Sequence, residues 1–408
     1  YTIYDNWKEY LGPLGIKKAR LQAGWAKTEK EKGQYNWAWL DHIIFDMVKR
    51  GVEPWMNVSY GNPNYGGGTR LGADMPKTEE AIKAWTRWVS GMANRYKDYI
   101  DEWEIWNEGA HGGNTMDLYV NLYIPAAEAI REVQPDATIM ALAIAGVHPE
   151  LATEFLDIME EKGKLHLVDQ ITYHPYNKNP DDSYEEVAEL RAAIDEYSER
   201  ITIRQGENGA PSMYRDTKAL SGYEWTELSQ SKWALRRLLG DLGRDIPTSY
   251  FAIMDMKYPD EINRKGLLHA TDDKEVKYRK PAYFAVQNLA SVFDYRLKRI
   301  PHYPYVANNE RSMSLFAYES KASGNQVVTI WYDGQIPSDS NEKTEIDFTF
   351  PNAKFKDPVY VDLRTGKVYE IPEDQYTQSG TKYTFKDIPV YDSPVLIGER
   401  SVFFIEKK

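Results

Sequence analysis

A carboxylate stands at the end of a short apolar segment in the first third of the chain. Residues 103–106 (WEIW) lead into Asn107 and Glu108, and Gly109 ends the segment. Partial burial at the end of a strand raises the pKa of a carboxyl group, and a general acid that works near neutral pH needs a raised pKa. We therefore expect Glu108 to be a general acid with a raised pKa.

A second glutamate ends a later segment of the same kind. Residues 203–205 (IRQ) lead through Gly206 to Glu207, and Gly209 follows closely. Glu207 comes about three strand–helix units after Glu108, so the two would face each other across the mouth of a parallel-stranded barrel. Two carboxyl groups on either side of a sugar can cleave a glycosidic bond, and they lie about 5–5.5 Å apart when the anomeric configuration is retained. The pair predicts hydrolysis of a glycosidic bond.

The elements that would carry these glutamates alternate between strand-like and helix-like patterns over roughly the first 290 residues. This alternation predicts an α/β fold, a (β/α)8 TIM barrel, with a helix that Thr78 caps among its helices. An eighth strand is expected in residues 2–4 or upstream of residue 1. The seven predicted strands are residues 16–22, 52–59, 102–106, 137–143, 168–173, 201–205 and 250–254.

The pattern changes to all β after the last predicted helix, which ends at Asp294. Short strands separated by Gly, Pro, Asn and Asp turns predict a C-terminal β-sandwich. We expect a catalytic barrel in residues 1–298 and a sandwich in residues 299–408 that acts as a structural buttress. The predicted sandwich strands are residues 314–318, 327–332, 345–350, 359–363, 382–385 and 402–406.

Composition excludes several other classes of protein. The net charge is −12 with no long basic run, which argues against nucleic acid as a partner. No segment has the roughly 18 uninterrupted apolar residues of a membrane span. The chain has no cysteine, no HExxH motif and no P-loop or dinucleotide fingerprint, so we expect neither a metal nor a cofactor. It begins at Tyr1 without a methionine, and removal of an export signal would give an extracytoplasmic, secreted or periplasmic, protein.

The strand-end motifs carry a family resemblance. Trp106-Asn107-Glu108 and Glu207 resemble the paired glutamates of glycoside hydrolase clan A, the retaining (β/α)8-barrel glycosidases. Within the clan, the chain is most similar to family 39 and its relatives. Residues 33–37 (GQYNW), residues 173–176 (YHPY) and the following sandwich support this resemblance.

The resemblance implies a role for each of three residues. Glu108, on the fourth barrel strand, would protonate the leaving oxygen and then act as the base on water. Glu207, on the seventh, would attack the anomeric carbon and form a covalent glycosyl-enzyme. Asn107 would donate a hydrogen bond to the 2-hydroxyl of the sugar.

Other residues near strand ends are candidates for binding the carbohydrate. Arg20 would either keep Glu207 ionised or form an ordinary ion pair of the barrel. Asp255 fits a site role and a structural role equally, and Glu104 fits a buried salt bridge better than catalysis. His174 and Tyr176 would orient the nucleophile or contact sugar hydroxyls. Aromatic residues in the loops could stack on a pyranose, and these are Trp25, Tyr60, Tyr65, Trp225 and Tyr258.

Several alternatives stay open at this stage. The chain could be a carbohydrate-binding barrel without turnover, or a metal-dependent barrel hydrolase. Exo action on plant, algal or host glycans is expected, because long loops after Ser59 and Asn208 would close one end of the cleft. Sugar identity, linkage and oligomeric state are open. Loop cations could neutralise a uronate or be plain surface charge, and these are Arg70, Lys178, Arg215 and Lys257.

Overall fold

A computed structural model describes residues 1–68, 72, 74–111 and 113–403. Its N-terminal part contains a sheet of six parallel strands, in which each strand pairs with the next along the chain. The carboxyl ends of all six strands therefore meet at one edge, and Glu108 and Glu207 follow two of these ends. The strands are β1 (Lys18–Gln22), β2 (Glu53–Val58), β3 (Glu102–Ile105), β4 (Thr138–Ala145), β5 (Gln170–His174) and β6 (Thr202–Gln205).

Helices connect these strands. At the start of α5 (Glu79–Tyr96), the Thr78 hydroxyl accepts a hydrogen bond of 3.2 Å from the Ala81 amide, as the capping pattern predicts. Trp85, Val89 and Met92 repeat at three- and four-residue spacing and are fully buried. The helices are α1 (Tyr4–Trp7), α2 (Leu11–Leu14), α3 (Trp25–Thr28), α4 (Ala38–Lys49), α5 (Glu79–Tyr96), α6 (Met116–Val133), α7 (Pro149–Glu161), α8 (Tyr184–Asp195), α9 (Glu227–Leu242) and α10 (Pro281–Val292).

The structure confirms the predicted fold class, a TIM barrel followed by an antiparallel β region. Strands β1 to β6 take the places of the second to seventh barrel strands. The prediction of a first strand in residues 2–4 is wrong, because Tyr4 begins α1 and its side chain is buried.

The predicted strand over residues 250–254 is also wrong as a regular strand. Its segment has only isolated parallel bridges, from Thr248 to Gln205 and from Met254 to Leu268. The backbone hydrogen bonds here alternate between two neighbours, since the Phe251 amide donates to Asn208 while Leu267 and Leu268 donate to the segment from the other side. The path therefore follows the eighth barrel position without forming a continuous ladder.

Two small hairpins follow this segment at the mouth of the barrel. The first pairs Met256 with Asn263 and Lys257 with Ile262, and we call it the β7–β8 hairpin. Residues 264–267 connect it to the second hairpin. The four strands are β7 (Met256–Lys257), β8 (Ile262–Asn263), β9 (Leu268–Ala270) and β10 (Val276–Arg279).

The C-terminal part is two antiparallel sheets. One has six strands in the order β11-β13-β14-β20-β16-β17, and the other has four in the order β12-β15-β19-β18. Phe348, Phe350 and Phe385 are fully buried in the core between them. The strands are β11 (Leu297–Ile300), β12 (Val306–Ala307), β13 (Met313–Ser320), β14 (Gln326–Tyr332), β15 (Thr344–Phe350), β16 (Pro358–Asp362), β17 (Lys367–Glu370), β18 (Tyr376–Ser379), β19 (Lys382–Val390) and β20 (Val395–Glu399).

The six-stranded sheet also has an apolar outer face against the barrel. Trp331 and Val361 share one buried cluster with Leu235 of α9 and Val286 of α10. The predicted boundary after residue 298 lies within β11, which pairs with β13, and the division into domains stays a prediction. None of the helices in the described ranges is long and apolar enough to cross a membrane.

The sequence analysis missed five of the ten strands described in this region, β11, β12, β17, β18 and β20. All five residues of β20 are buried, and such a strand shows no alternation of apolar and polar residues. The strand predicted over residues 402–406 is wrong at its start, because residues 400–402 form a 3₁₀ turn, and residues 404–406 lie outside the described part of the chain.

Candidate active site

Close packing fixes the backbone that carries Glu108. Gly109 has no room for a side chain, since a Cβ there would lie 2.4 Å from the ring of Tyr119. The Tyr119 hydroxyl in turn donates to the Ile105 carbonyl at 3.0 Å and accepts from the Leu142 amide at 2.6 Å. The glycine of the motif is therefore required by the helix α6 tyrosine that ties the ends of β3 and β4 together.

Arg20 of β1 connects the residues of both motifs. Its guanidinium donates to Glu207 Oε2 at 2.8 Å and to Asn107 Oδ1 at 2.7 Å. It also donates from Nε to Glu104 Oε2 at 2.8 Å and forms a second hydrogen bond to the same oxygen. Arg20 thus pairs both with the candidate nucleophile and with a carboxylate deeper in the barrel, and its role in keeping Glu207 ionised stays a prediction.

Glu104 is a buried carboxylate that lies deeper in the barrel and supports Arg20. Its carboxylate is fully buried, and Asn57 donates to it at 2.8 Å while Thr172 donates at 2.5 Å. Asn57 also donates to the Trp106 carbonyl at 2.8 Å. The predicted salt-bridge role of Glu104 is confirmed by its pairing with Arg20.

Both oxygens of Glu207 accept a hydrogen bond. Oε2 accepts from Arg20, and Oε1 accepts from the hydroxyl of Tyr176 at 2.8 Å. The Glu207 side chain is only 15% exposed. These contacts fix the orientation of the Glu207 carboxylate, and one of them comes from a guanidinium, which makes it a charge-assisted hydrogen bond.

Glu108 contacts His174 at the end of β5. The distance from His174 Nδ1 to Glu108 Oε1 is 3.0 Å, and the glutamate side chain is 30% exposed. Burial raises the pKa of Glu108, but the hydrogen bond and charge of His174 outweigh burial, so the net pKa lies below its usual value. The expectation of a raised pKa is therefore wrong for this protein, since it ignored the histidine.

The surroundings of Tyr60, Tyr176 and Asn107 indicate that the two glutamates face the same space. Tyr60 and Tyr176 are partly buried, and burial followed by the charge of Glu207 raises the pKa of each, with Glu108 contributing to both shifts. Asn107 directs Oδ1 to Arg20, and its Nδ2 has no acceptor among the described residues. An amide donor beside Glu108 is thus available to a ligand.

The remaining aromatic candidates differ in where they lie. Trp25 is fully buried and stacks on Tyr65 at 5.0 Å between ring centroids. Trp225 is 3% exposed and donates to the Leu220 carbonyl. Tyr258 lies on the β7–β8 hairpin, where burial and the nearby charge of Glu207 raise its pKa. Among these residues Tyr258 and Tyr60 are near the carboxylates, and stacking by any of them stays a prediction.

Asp255 is saturated by partners within the protein. Lys280 donates to its Oδ1 at 2.7 Å and Arg264 to its Oδ2 at 3.0 Å. The amides of Gly266 and Ala270 also donate to its two oxygens. These contacts hold the segment after the β7–β8 hairpin, and contact of Asp255 with a substrate stays a prediction.

Lys265 was missed by the sequence analysis. It lies in the segment that Asp255 holds, is 3% exposed, and places its Nζ 3.6 Å from the ring centroid of Tyr176. Burial, and then the charge of Arg215, lower the pKa of Lys265 to about 7, while Glu207 and Glu108 act in the opposite direction. No local signal in the sequence distinguishes this lysine from its exposed neighbours.

The other loop cations are occupied elsewhere or fall outside the description. Lys257 pairs with Asp272 at 3.0 Å, and Lys178 donates to the Gly222 carbonyl at 3.4 Å. Arg215 pairs with Glu261 at 3.0 Å. Arg70 lies outside the described residues.

A cavity of about 200 Å³ opens beside Glu108. Leu142, Ile144 and Leu151 give it an apolar wall, and His111 and His148 contribute to its lining. In the described part of the chain, no group of three or more His, Asp or Glu side chains is arranged to hold a metal ion.

Comparisons with known proteins agree with this geometry. Residues 16–208, which include both glutamates, match the model of glycosyl hydrolases family 39. A family 39 glycoside hydrolase from Bacteroides cellulosilyticus WH2 has 18% identity and a TM-score of 0.69, over 98% of this chain and 79% of that one. A family 39 enzyme from Xanthomonas axonopodis pv. citri has 15% identity and a TM-score of 0.63, over 96% and 90% of the two chains.

A family 5 glycoside hydrolase from Bacteroides vulgatus ATCC 8482 is similar as well, with 15% identity and a TM-score of 0.62 over 100% of this chain and 88% of that one. A search of curated proteins finds no match. At these identities the structural likenesses establish the fold, and the family match carries the assignment of class.

A parallel barrel with a glutamate after each of two strands, together with the match of residues 16–208 to the family 39 model, identifies the chain as a glycosidase, an enzyme that hydrolyses O-glycosyl bonds. The chain is similar to the family 39 glycoside hydrolases of clan A, and the matched residues include the strands that precede both glutamates. Its substrate is accordingly a carbohydrate.

Proposed function

We propose that this glycosidase works with retention of configuration by double displacement between Glu207 and Glu108. The observation that carries the proposal is the different environment of the two carboxylates. Glu207 is fixed by hydrogen bonds from Arg20 and Tyr176, whereas Glu108 is twice as exposed and, among the described residues, hydrogen-bonds to His174 alone. A carboxylate fixed at both oxygens suits a nucleophile, and a more accessible carboxyl suits a group that exchanges protons with substrate and water.

In the first step, Glu207 attacks the anomeric carbon while Glu108 protonates the leaving oxygen, which requires that the bound substrate raise the pKa of Glu108 above its lowered value in the free protein. The bond to the leaving group breaks, and a glycosyl ester of Glu207 forms. In the second step, Glu108 takes a proton from water, whose oxygen attacks the anomeric carbon and releases Glu207. The Nδ2 of Asn107 donates to the 2-hydroxyl, a contact that strengthens as positive charge develops on the sugar.

Replacement of the nucleophile is the main test. We expect Glu207→Gln to lower kcat on an aryl glycoside by about 10⁴-fold or more, because the covalent step is removed. Glu53→Gln is the matched control, since Glu53 lies at the opposite end of β2 with its side chain 71% exposed. Proton NMR of the first-formed anomer reports retention directly. Full activity of Glu207→Gln, or inversion, would reject the mechanism.

Replacement of the acid/base should depend on the leaving group. We expect Glu108→Gln to slow the release of a poor leaving group far more than that of a 2,4-dinitrophenolate, because the latter needs little protonation. Azide should restore turnover of Glu108→Ala and give a glycosyl azide of retained configuration. Equal losses on good and poor leaving groups would contradict the role of Glu108.

Exo action is part of the proposal. The segment from Asn208 to Trp225 lies along the β7–β8 hairpin, with Arg215 and Lys218 both paired to Glu261, and such a closed side favours a chain end over an internal bond. Exo action on plant, algal or host glycans predicts a monosaccharide as the first product of a defined oligosaccharide. Release of internal fragments would show endo action instead.

Two other functions make different predictions. A carbohydrate-binding barrel without turnover would bind sugars and hydrolyse none of a broad glycoside panel. A metal-dependent hydrolase would lose activity with a chelator, whereas the two-glutamate mechanism predicts no loss.

A further inference from the structure

Lys265 is a buried cation without a counter-ion. It is 3% exposed, and among the described residues its ammonium has neither a hydrogen-bond acceptor nor a carboxylate partner. The Lys265 Nζ lies over the face of the Tyr176 ring, at 3.6 Å from the ring centroid. Tyr176 is also the residue whose hydroxyl donates to Glu207. An ammonium with unused donors therefore lies beside the candidate nucleophile.

The same wall of the site carries more positive than negative charge. Glu261 of the β7–β8 hairpin accepts from Arg215 at 3.0 Å and from Lys218 at 2.5 Å. The Lys218 Nζ also lies 4.8 Å from the ring centroid of Tyr258. One carboxylate thus serves two cations, and Lys265 is a third. These three cations and Glu261 form what we call the cationic wall.

The catalytic glutamates do not supply the missing partner. Both oxygens of Glu207 are engaged by Arg20 and Tyr176, and Glu108 contacts His174. Neither forms an ion pair with Lys265 in the described structure, although both are near enough to act on its charge. Burying an unpaired charge costs free energy, and such sites are found where a ligand supplies the opposite charge.

We propose that the cationic wall binds a negatively charged substituent of the sugar at the cleavage site, the carboxylate of a uronic acid or a sulfate ester, through the ammonium of Lys265. The inference rests on the proposed function, because it places the sugar against Glu207. Arg215 and Lys218 add long-range attraction and are held in place by Glu261.

A rival role for Lys265 is to balance the charge of the catalytic carboxylates. In that role its loss would change the hydrolysis of charged and neutral substrates by the same factor and would move the pH profile for both. In the proposed role, loss of Lys265 slows hydrolysis of the charged substrate alone. The ratio of kcat/KM between the charged and the neutral substrate therefore distinguishes the two roles.

The test uses pairs of 4-methylumbelliferyl glycosides that differ only at C6, hexose against hexuronic acid, together with sulfated hexosides. We expect kcat/KM to be higher for an anionic member than for its neutral parent. Lys265→Met should lower the ratio of the two by about 10- to 100-fold, the range of a charge-assisted hydrogen bond. Lys265→Arg should recover part of the ratio. Lys257→Met is the matched control, because Lys257 lies on the same hairpin and pairs with Asp272.

Each outcome decides a separate point. Preference for uronides or for sulfated sugars supports the inference and identifies the anion. Turnover of neutral glycosides that depends on Glu207, with no anionic preference or with an unchanged ratio in Lys265→Met, rejects the inference and leaves the proposed function intact. Absence of all hydrolysis rejects the proposed function, and calorimetric titration then still tests the wall, by comparing a free uronic acid with its neutral parent sugar. Equal affinity for the two would reject the inference.

Discussion

Two lysines at the mouth of the barrel are buried to the same degree and have opposite surroundings. Lys280 is fully buried and donates to Asp255 at 2.7 Å, to the Ser212 hydroxyl at 2.8 Å and to the Arg264 carbonyl at 3.1 Å. Lys265 is 3% exposed, its Nζ lies over the Tyr176 ring, and it has no hydrogen-bond acceptor or carboxylate partner among the described residues. Burial lowers the pKa of both lysines, and only for Lys280 does a directly bonded carboxylate oppose it.

The difference separates support from function within one short stretch of chain. All three hydrogen-bond donors of the Lys280 ammonium are used inside the protein. Lys280 therefore holds the Asp255 segment and has no donor left for a ligand. The donors of Lys265 are unused, and the segment that Lys280 stabilises is the one that presents Lys265 to the site. The buried pair of Lys280 and Asp255, whose hydrogen-bonding groups are all used, thus supports the segment that carries the buried and unpaired ammonium of Lys265.

Removal of Lys280 should have the largest effect on stability. Lys280→Met would leave Asp255 buried with one partner fewer, and breaking a buried pair costs about 3–5 kcal/mol. Chemical denaturation should show a lower free energy of unfolding, and Lys280→Met combined with Asp255→Leu should recover part of the loss. A wild-type unfolding midpoint for the single variant would mean that Lys280 does not hold this segment.

Removal of Lys265 should change the free energy of unfolding in the opposite direction, which means that the protein becomes more stable. The pKa of Lys265 falls from 10.5 to about 7 on folding, so its protonated form is disfavoured in the folded state. The resulting loss of stability is complete below pH 7 and disappears as the pH rises toward 10.5. We expect Lys265→Met to be more stable than wild type at pH 6, by on the order of 5 kcal/mol, with a difference that shrinks at higher pH.

Unfolding curves of Lys265→Met and wild type at pH 6 and pH 9 test whether the substitution stabilises the protein. Lys280→Met supplies the comparison: burial lowers the pKa of Lys280 as well, but its removal leaves the buried Asp255 carboxylate with one partner fewer, so this variant should be destabilised at both pH values. A Lys265→Met protein that is less stable than wild type at pH 6 would show that the ammonium has a stabilising partner, and the contrast between the two lysines would fail.

The sequence predicted those features that depend on local pattern. The strand ends at Glu108 and Glu207 are readable because a short apolar run stops at a polar residue and a nearby glycine. Arg20 could be assigned to the site because it lies within a predicted strand, and parallel strands share an edge. Asn57 was missed although it had a signal, since a polar residue inside the apolar strand 55–58 (WMNV) requires a buried partner.

Other features depend on contacts that no local pattern contains. The lowered pKa of Glu108 follows from His174, which is 66 residues away along the chain. The burial of Trp25 follows from its stacking on Tyr65, so a loop tryptophan that could have faced a sugar lies in the core. Lys265 differs from Lys257 only by where the Asp255 segment carries it, and its missing partner is a property of the folded protein.

Lys257 offers the smallest expected effect and the sharpest control. It stands eight positions before Lys265, and its ion pair with Asp272 is on the surface, with side chains 36% and 82% exposed. Because solvent screens such pairs, Lys257→Met should leave the unfolding midpoint unchanged within error. The same substitution should leave the preference between charged and neutral glycosides unchanged. If it altered either quantity as strongly as Lys265→Met, the general charge of the β7–β8 hairpin would be responsible, and burial of one unpaired ammonium would not.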